Sequence, residues 1–503
     1  MRNGQVTLVG AGPGDPGLLT IKGRQAIEQA DVIVYDRLVG REILALMPTH
    51  AECIDVGKQC DHHPVPQQRI NEILLEKALE GKKVVRLKGG DCFLFGRGGE
   101  ELELLQQQDI PFEVVPGVTS ALAVPAYAGI PVTHRDFTSS VHIITGHAKA
   151  GKKLNIDFEA LVRHKGTLVF LMGVTSAPRI CEGLIQAGMP QDMPAAMIER
   201  GTLPRQRKVT ATLSTLPQRM QEEHIQSPAV LVVGAVCELS GKFDWYETLP
   251  LHGATIVVTR PKNRAETLTS CLRRYGADVF AYPCIETQDI WPNMPVVEAL
   301  ASIECYQWLV LTSPAGVETL FRLLHAASMD ARSMAHMKIA VIGEGTAKKL
   351  EQHGLRADYI PEVYDSEHLA EGLIRLARED EQVLLLRSEI GMPELPMMLR
   401  DACVSFEDVP IYRTRYHSER REELLEQLTN HQIDYVTFTS ASTVNGFISN
   451  LPEGTDVSHF TALCIGGTTE KAAQRAGMKT ITAPYATIDA MIDTVLEDYK
   501  KWN

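Results

Sequence analysis

Short apolar runs alternate along the chain with longer segments whose apolar residues recur at helical spacing. The runs of the first half are rich in β-branched residues, which favours buried strands. The runs that lead the chain are Gln5–Val9, Ala30–Tyr35, Val84–Leu87 and Pro111–Val115. Helical spacing fills the intervals, as at Leu19–Gln29 and Ile70–Leu79. This alternation predicts an α/β fold.

A second group of apolar runs begins after about residue 135. Its members are Val141–Gly146, Thr167–Met172, Pro194–Glu199 and Ala229–Gly234. The first half is therefore predicted to form two α/β lobes, at about residues 1–135 and 136–240. Ligands of α/β proteins usually lie beyond the strand ends, so we expect the binding site in a cleft between these lobes.

Glycine and hydroxyl residues follow the strands of the first lobe. Gly89-Gly90-Asp91 allows the backbone to approach a small ligand closely, because neither glycine carries a Cβ. The turn Pro116–Ser120 presents hydroxyls and bare backbone. The first turn reads Gly-x-Gly-x-Gly, and its residues Pro13 and Pro16 remove two N–H groups that a pyrophosphate would need. A dinucleotide site is therefore disfavoured.

Other candidate residues leave alternatives open. Asp36 follows a strand and is either a turn residue or a carboxylate in the cleft. The segment Cys60-Asp-His-His63 matches no common ligand spacing, so no metal site is predicted. Several cations are candidates to surround an anionic substrate, although about half of them are equally well explained as solvated surface charge. They are Lys22, Arg24, Arg37, Lys58, Arg97 and Arg135.

The second half of the chain repeats itself. Three motif pairs are separated by the same 127 positions. One pair ends at Arg260 and Arg387, and the other two start at residues 282 and 409 and at residues 308 and 435. Hydroxyl-bearing turns recur in matching places at Thr312-Ser313 and Thr439-Ser440, and Gly-x-x-Thr turns at Gly343–Thr346 and Gly466–Thr469. A shared spacing predicts two similar α/β lobes with a cleft between them.

Composition narrows the classes of function. A chain of 503 residues is expected to hold roughly three domains. The net charge of −13 argues against a nucleic-acid partner, but an anionic substrate needs only a local basic pocket. No apolar run approaches the ~20 residues of a membrane span. The ten cysteines form no Cys-x-x-Cys pair and the chain starts directly with a strand, so we expect a cytoplasmic protein with reduced thiols.

The first half, about Gly4–Leu239, closely resembles uroporphyrinogen-III C-methyltransferase. The motifs that carry the resemblance are Val9–Asp15, Tyr35–Leu38, Arg86–Asp91, Val115–Ser120 and Gly166–Gly173. The resemblance implies S-adenosylmethionine as methyl donor, with S-adenosylhomocysteine as product, and uroporphyrinogen III as acceptor. It also implies two methylations, through precorrin-1 to precorrin-2, and a homodimer formed through this half.

The same resemblance assigns residues to the site. Asp36 and Lys58 fall on positions with acid/base roles, and Arg37 and Arg97 would contact the substrate. Gln59 departs from the arginine expected there, which leaves one substrate-carboxylate contact in doubt. The cofactor residues implied by motif position are Pro13, Gly89, Gly90, Asp91, Leu94, Thr119, Ser120, Met172 and Gly201.

The second half, about Gly253–Leu496, resembles uroporphyrinogen-III synthase, through weaker motifs. The resemblance implies cyclisation of hydroxymethylbilane with inversion of ring D and loss of water, without a cofactor. Two strand-like linkers would join its lobes near residues 282–287 and 409–414, and the first strand and helix would belong with the C-terminal strands. Tyr412 is the candidate for assisting hydroxyl departure. The residues expected to line the cleft are Thr312, Ser313, Thr346, Thr439, Ser440, Thr468 and Thr469.

Together these patterns predict a bifunctional tetrapyrrole enzyme, with residues 1–240 as methyltransferase, 241–252 as linker and 253–503 as synthase. Its product would lead to sirohaem or cobalamin. One alternative makes the second half a tetrapyrrole-binding module without turnover, and another makes the first half a later-acting corrin-ring methylase. The sequence leaves open whether the intermediate is channelled between the halves.

Overall fold

The structure is a computed structural model that describes residues 4–57, 65–147, 156–291, 294–416 and 420–501. Lys58, Gln59 and the segment Cys60–His63 lie outside the described residues. The chain divides into two compact units. Unit 1 comprises residues 1–254, 272–278 and 499–503, and unit 2 comprises residues 255–271 and 279–498.

The first sheet of unit 1 is entirely parallel, with the order β3-β2-β4-β1-β5. Its strands are β1 Gln5–Gly10, β2 Val32–Tyr35, β3 Glu52–Asp55, β4 Lys83–Lys88 and β5 Phe112–Val115. The helices that cover it are α1 Ile21–Glu28, α2 Arg41–Leu44, α3 Gln67–Leu79, α4 Gly98–Gln107 and α5 Ser120–Tyr127. The carboxyl ends of all five strands therefore lie at one edge of the sheet.

The second sheet of unit 1 is mixed, with the order β6-β7-β10-β8-β9 and β10 antiparallel to both of its neighbours. Its strands are β6 Val141–Thr145, β7 Thr167–Leu171, β8 Pro194–Glu199, β9 Arg207–Thr212 and β10 Ala229–Val233. Its helices are α6 Phe158–His164, α7 Ala177–Gln186 and α8 Leu216–Glu222. Helix α5 joins the two lobes, since its residues Ala121 and Val124 share a buried apolar cluster with β7, β8 and β10.

The second half of the chain also forms two five-stranded sheets, ordered β12-β11-β18-β19-β20 and β13-β17-β16-β14-β15. The strands are β11 Thr255–Val258, β12 Asp278–Ala281, β13 Ile285–Asp289, β14 Trp308–Leu311, β15 Lys338–Val341, β16 Gln382–Ser388, β17 Ser405–Tyr416, β18 Tyr435–Phe438, β19 Thr461–Cys464 and β20 Lys479–Thr482. The helices are α9 Lys262–Arg274, α10 Met294–Ala301, α11 Pro314–Ala326, α12 Glu344–Glu351, α13 Ser366–Leu376, α14 Glu394–Asp401, α15 Arg421–Thr429, α16 Ala441–Ser449, α17 Gly467–Arg475 and α18 Ile488–Tyr499.

The connectivity of this half follows the sequence duplication. The sheet of β11 also contains β18–β20, which confirms that the first strand belongs with the C-terminal strands. The two segments predicted as linkers lie on or beside β13 and β17, which pair antiparallel. The predicted α/β fold is confirmed, with two sheets in each half among the residues that the structure describes.

The segment predicted as a linker, residues 241–252, packs as part of unit 1. Tyr246 is buried and donates its hydroxyl hydrogen to Thr202 O at 3.2 Å. Trp245 Nε1 donates to Ala126 O at 3.0 Å, and Leu251 is fully buried. Aromatic and aliphatic side chains thus fix this segment against the second lobe of unit 1.

Candidate active sites at the sheet edges

The turns after β1, β4 and β5 meet through bare backbone at the carboxyl edge of the first sheet. Gly12 N donates to Gly90 O at 3.1 Å, and Gly90 N donates to Gly12 O at 2.7 Å. A Cβ on Gly10 would lie 2.5 Å from Gly117 Cα, and one on Gly117 would lie 2.3 Å from Gly90 O. Only glycine permits this approach at residues 10 and 117, so the pattern read from the sequence has a packing cause.

Asp91 holds two of these turns together. Its Oδ1 accepts hydrogen bonds from the Phe93 and Leu94 amides at 2.8 and 2.9 Å, and its Oδ2 accepts from Gly117 N at 3.0 Å. The carboxylate is therefore engaged by three main-chain donors. It organises the edge of the site in addition to any contact that it makes with a ligand.

Beside Asp91, the backbone of Gly90 is open. Gly90 has φ +69°, and no atom lies within 4 Å of the place where its Cβ would be. The apolar side chains of Phe93 and Met172 are more than half exposed. Leu94 packs partly buried against the α5 cluster. An open main-chain surface with apolar neighbours can receive a small, partly apolar molecule.

The turn after β1 reaches the second lobe. Asp15 N donates to Thr202 Oγ1 at 3.3 Å, and Tyr127 donates its hydroxyl hydrogen to Asp15 Oδ2 at 2.6 Å. Gly201 is buried so close to α5 that a Cβ there would lie 2.3 Å from Val124 Cγ1. These contacts bring the loop that contains Pro13 near the Gly201 turn.

The start of α5 supplies the predicted hydroxyls. Thr119 is the N-cap of the helix, and its Oγ1 accepts a hydrogen bond from Ala121 N at 3.2 Å. Ser120 is the first helical residue and is partly exposed. Met172 follows β7 with φ +56°, a left-handed conformation that is strained for a side chain of this kind.

Asp36 lies in the turn after β2. Its contacts include those of a turn residue and those of a carboxylate at the edge of the site. Its Oδ1 accepts from Leu38 N at 3.1 Å and from Gly89 N at 3.4 Å, as a turn residue would. Its Oδ2 lies 3.6 Å from Arg86 Nη2, and Arg86 is buried. Asp36 is thus held at the carboxyl edge by the main chain on one side and by a buried cation on the other.

Beneath Asp36 lies a buried charged cluster that the sequence analysis did not assign. Glu101 Oε1 accepts from Lys88 Nζ at 2.7 Å, from Arg86 Nε at 3.2 Å and from Gln67 Nε2 at 3.0 Å. Burial and the nearby Arg86 charge lower the pKa of Lys88. The sequence signal was the presence of two cations inside an otherwise apolar strand, Val84–Lys88, since buried cations need an anionic partner.

The cations that the sequence of the first half predicted around the substrate are exposed or paired separately. Arg37 is exposed, and Arg97 forms an exposed two-point pair with Glu100, with Nη2–Oε2 2.7 Å. Lys22 pairs with Glu113, and Arg24 pairs with Glu28 at 2.8 Å, both near α1. The structure does not gather these four side chains around one point.

In unit 2, two residues that were predicted separately, Ser313 and Tyr412, lie next to each other. Their hydroxyl oxygens lie 2.7 Å apart, and Ser313 Oγ also accepts from Gly316 N at the start of α11. Burial raises the pKa of Tyr412, and the hydroxyl of Ser313 and the charge of Arg264 act against that rise. Thr312 directly precedes this pair, at the carboxyl end of β14. The pair can donate a hydrogen bond to a departing hydroxyl group.

The other predicted hydroxyls of unit 2 occupy different environments. Thr346 and Thr469 are buried in the first turns of α12 and α17, whereas Thr468 is exposed. Ser440 caps α16, and its Oγ accepts from Thr443 N at 3.2 Å. Thr439 is partly exposed beside it. The side chains accessible to a ligand are therefore those of Thr439, Ser440 and Thr468, whereas Thr346 and Thr469 are covered.

A second group that sequence reasoning missed joins the lobes of unit 2. Arg264 of α9 donates to Glu318 Oε2 of α11 at 3.4 Å, and Lys349 Nζ lies 2.7 Å from Glu318 Oε1. Burial acts to raise the pKa of Glu318, but Lys349 and Arg264 outweigh it, and the net effect lowers that pKa. The charge of Arg264 also acts on Tyr412.

Two further observations concern the described ranges only. No group of three or more His, Cys, Asp or Glu side chains is placed to hold a metal ion. No helix there combines the length and apolarity that crossing a bilayer demands.

Comparison with known proteins assigns both halves. The family of tetrapyrrole (corrin/porphyrin) methylases matches residues 5–217, and that of uroporphyrinogen-III synthase HemD matches residues 266–493. A porphyrin biosynthesis protein HemD of Ruminiclostridium josui is 50% identical over 497 residues, which cover 99% of this chain and 98% of that protein. A uroporphyrinogen-III C-methyltransferase of Bacillus subtilis (strain 168) is 43% identical over 356 residues, 70% of this chain and 72% of that one.

A solved structure is also similar to the first half. Uroporphyrin-III C-methyl transferase from Thermus thermophilus, complexed with S-adenyl homocysteine, is 39% identical with a TM-score of 0.41, over 47% of this chain and 100% of that chain. The assignment rests on the two long sequence matches, which span most of each relative. The chain therefore belongs to the enzymes in which an S-adenosylmethionine-dependent uroporphyrinogen-III C-methyltransferase is joined to a uroporphyrinogen-III synthase.

Proposed function

We propose that the second half cyclises hydroxymethylbilane to uroporphyrinogen III and that the first half methylates this product twice, giving precorrin-2 for sirohaem or cobalamin. The observation that carries the proposal is that each half presents polar groups at the carboxyl edges of its sheets, in a chain that belongs to both families. The two proposed reactions are consecutive, because the product of the second half is the substrate of the first half.

The residues at the first edge fit S-adenosylmethionine. Gly90 offers main-chain groups without side-chain obstruction, which suits ribose hydroxyls and an amino acid head, whereas Gly89 packs closely against Leu38 and shapes the turn. When bound, the cofactor supplies an electrophilic methyl group on a sulfonium. The residues that we propose to hold it are Pro13, Gly89, Gly90, Asp91, Leu94, Thr119, Ser120, Met172 and Gly201.

The protein's part in methyl transfer is alignment and proton removal. A carbon–carbon bond forms at an electron-rich pyrrole carbon as the sulfur–methyl bond breaks, and the ring system then loses a proton. No protein nucleophile is needed, so the fixed turns act mainly by positioning. Asp36 is the carboxylate we propose to move the proton, and Lys58 is the second acid/base candidate. Arg37 and Arg97 are proposed to meet substrate carboxylates.

In the second half, the reaction loses the hydroxyl of the hydroxymethyl group and closes the ring with inversion of ring D. Tyr412, paired with Ser313, is proposed to donate a hydrogen bond to the leaving hydroxyl. Folding the linear substrate into a cyclic shape supplies much of the rate, because closure is intramolecular. The hydroxyls of Thr312, Thr439, Ser440 and Thr468, with Thr346 and Thr469 behind them, complete the proposed cleft.

The test is product analysis with the full chain. Hydroxymethylbilane alone should give uroporphyrinogen III, and addition of S-adenosylmethionine should add two methyl groups, as measured by mass spectrometry after separation of isomers. Formation of only the isomer in which ring D is not inverted would show that the second half is a binding module without turnover. Supplied uroporphyrinogen III that stays unmethylated would remove the activity proposed for the first half.

The assembly proposed is a cytoplasmic homodimer formed through the first half. Its support is the resemblance, together with apolar side chains that unit 1 leaves exposed, among them Ile21 and Leu122. Light scattering on the full chain during size-exclusion chromatography measures the mass directly. A monomer at micromolar concentration would contradict this part of the proposal.

A further inference from the structure

Arg260 occupies a fixed place at the carboxyl edge of the third sheet. It follows β11 by two residues, and Thr259 between them is fully buried and donates its Oγ1 hydrogen to Thr437 O at 2.6 Å. Strands β11, β18 and β19 are parallel. Arg260 therefore lies at the same edge as the Thr439-Ser440 turn and the turn that contains Thr468.

The duplicate of Arg260 in the other lobe is Arg387, which is fully paired. Arg387 Nε and Nη2 donate to the two carboxylate oxygens of Asp408 at 2.7 and 2.6 Å, and Nη1 donates to Met392 O at 2.9 Å. Asp408 lies beside Leu385 in the register of β16 and β17. A two-point pair of this kind is a strong, geometrically defined interaction.

The first copy keeps the arginine and lacks the acid. Tyr282 N donates to Val258 O at 2.9 Å, which fixes Ala281 beside Val258 in the way that Asp408 lies beside Leu385. The position of the acid is thus taken by a methyl group. Within the described ranges, Arg260 has no ion-pair or hydrogen-bond partner, and its side chain is only partly exposed. A guanidinium in this situation gains from any anion that enters.

The neighbours of Arg260 leave this edge rich in positive charge. Burial lowers the pKa of Arg260, and the like charge of Arg264, four residues further along the chain in α9, lowers it further. Arg264 and Lys349 share the single acid Glu318, and the charge of Arg264 acts on Tyr412. In the part of the chain that the structure describes, Arg260, Arg264 and Lys349 are thus balanced by the one carboxylate of Glu318, on a chain of net charge −13.

We infer that Arg260 binds one carboxylate of the linear tetrapyrrole substrate and that the absence of an acid at Ala281 is what keeps it available. This inference rests on the function proposed for the second half and names a contact within it. The substrate carries many carboxylates, and the guanidinium fork receives one of them through two parallel hydrogen bonds. Arg260 is a substrate-binding residue. It raises the affinity for the bilane and fixes the bilane's position in the cleft, whereas Tyr412 assists departure of the hydroxyl group.

The test compares variants of the full chain in steady-state cyclisation of hydroxymethylbilane. Arg260→Gln should raise KM about 10- to 100-fold, the loss expected for a charge-assisted contact, with kcat changed by less than about 3-fold. Arg260→Lys should fall between, because it keeps the charge and loses the fork. The matched control is Arg332→Gln, which removes an exposed cation paired with Asp330 near the amino end of β15, away from the carboxyl edge.

Thermal melting separates binding from a structural role. Since the part of the chain that the structure describes gives Arg260 no partner to lose, Arg260→Gln should melt at or above the wild-type temperature, whereas loss of a structural arginine would lower it. A wild-type KM in Arg260→Gln, or a rise in KM that comes with a clearly lower melting temperature in both Arg260 variants, would overturn the inference. A wild-type chain that fails to cyclise hydroxymethylbilane would instead overturn the proposed function.

Discussion

At the scale of single residues, the two oxygens of Asp36 serve different neighbours. Oδ1 accepts from main-chain amides of two turns, while Oδ2 faces Arg86. Asparagine can keep the first role, since its carbonyl oxygen accepts from the same amides. It cannot accept a proton from the ring system, so the two roles are separable by one substitution.

We expect Asp36→Asn to reduce methylation by about 10²–10⁴-fold, the usual range for loss of a general acid or base, with near-normal cofactor binding and melting. Single-turnover methylation together with a melting curve checks this. Asp31→Asn is the control, because Asp31 Oδ2 also accepts a main-chain hydrogen bond, from Lys83 N, but at the amino end of β2. A wild-type rate in Asp36→Asn would remove Asp36 from the mechanism.

Asp91 acts on three amides that belong to two different turns. Asp91→Ala should weaken S-adenosylmethionine binding by about 1–3 kcal/mol, because three main-chain donors, two of them partly buried, lose their acceptor and the two turns are no longer held together. Titration calorimetry measures the affinity. Asp157→Ala is the control, since Asp157 caps α6 through Ala160 N, and its loss should cost stability but not affinity. Unchanged affinity in Asp91→Ala would exclude Asp91 from the site.

At the scale of elements, β13 is locked to α11 by one carboxylate. Asp289, the last residue of β13, accepts from Arg322 Nε at 2.7 Å, from Arg322 Nη2 at 2.6 Å and from Thr319 Oγ1 at 2.9 Å. The hydrogen bonds from Arg322 lower the pKa of Asp289, burial opposes them, and Thr319 adds to the lowering. The lock therefore stabilises the fold only while Asp289 is ionised.

The sign of the pH dependence follows from that lowered pKa. The stabilisation is fully present above the unfolded pKa of about 3.9 and is lost as pH falls through the lower folded value. We expect wild type to exceed Asp289→Asn in urea midpoint at pH 7 and the difference to vanish in strong acid. Arg322→Gln should behave like Asp289→Asn. A difference that persists undiminished to pH 2 would contradict the lock.

The sequence predicted those elements whose apolar runs are buried on both faces. Val84–Leu87 and Thr167–Met172 match β4 and β7 closely, because nearly every core position there is apolar or β-branched, the buried Arg86 being the exception in β4. In the described part of the first half, two strands were not predicted, β3 and β9, which lie at the edges of their sheets and carry exposed polar residues. Edge strands bury less, so their apolar pattern is weaker.

Some features of the candidate sites could be predicted from the sequence, and others depend on how distant segments pack. Glycine and hydroxyl turns such as Gly89-Gly90-Asp91 are legible from the sequence, because the turn chemistry is local. The buried group of Arg86, Lys88 and Glu101 forms because α4 packs beside β4. The absence of an acid next to Arg260 depends on the register that places Ala281 beside Val258. Neither is contained in local residue types, so the sequence alone could not supply them.

At the scale of the whole molecule, the packed segment 241–252 sets where the chain can be divided. A cut near Leu249 separates the buried Leu251 from the rest of unit 1, so we place the cut after Ala254. The fragments 1–254 and 255–503 should each keep their own activity and unfold cooperatively. The first should melt a few degrees lower, because it loses hydrogen bonds such as Leu251 N to Tyr275 O. Aggregation of both fragments, seen by light scattering, would count against independent folding.

The split lobe of the synthase half has a consequence for how the protein is made. Ile256 pairs with Tyr435, whereas the other lobe is continuous from about residue 285 to residue 416. On the ribosome, the continuous lobe can therefore complete itself while β11 still waits for its partner. At 5–20 residues per second that wait lasts on the order of ten seconds. Throughout it, β12 is available to β11 but β18 is not, so one edge of a strand whose four residues are all buried in the finished protein stays unpaired. We therefore expect the yield in the cell to depend on protection of Thr255–Val258 during synthesis as well as on the stability of the finished fold.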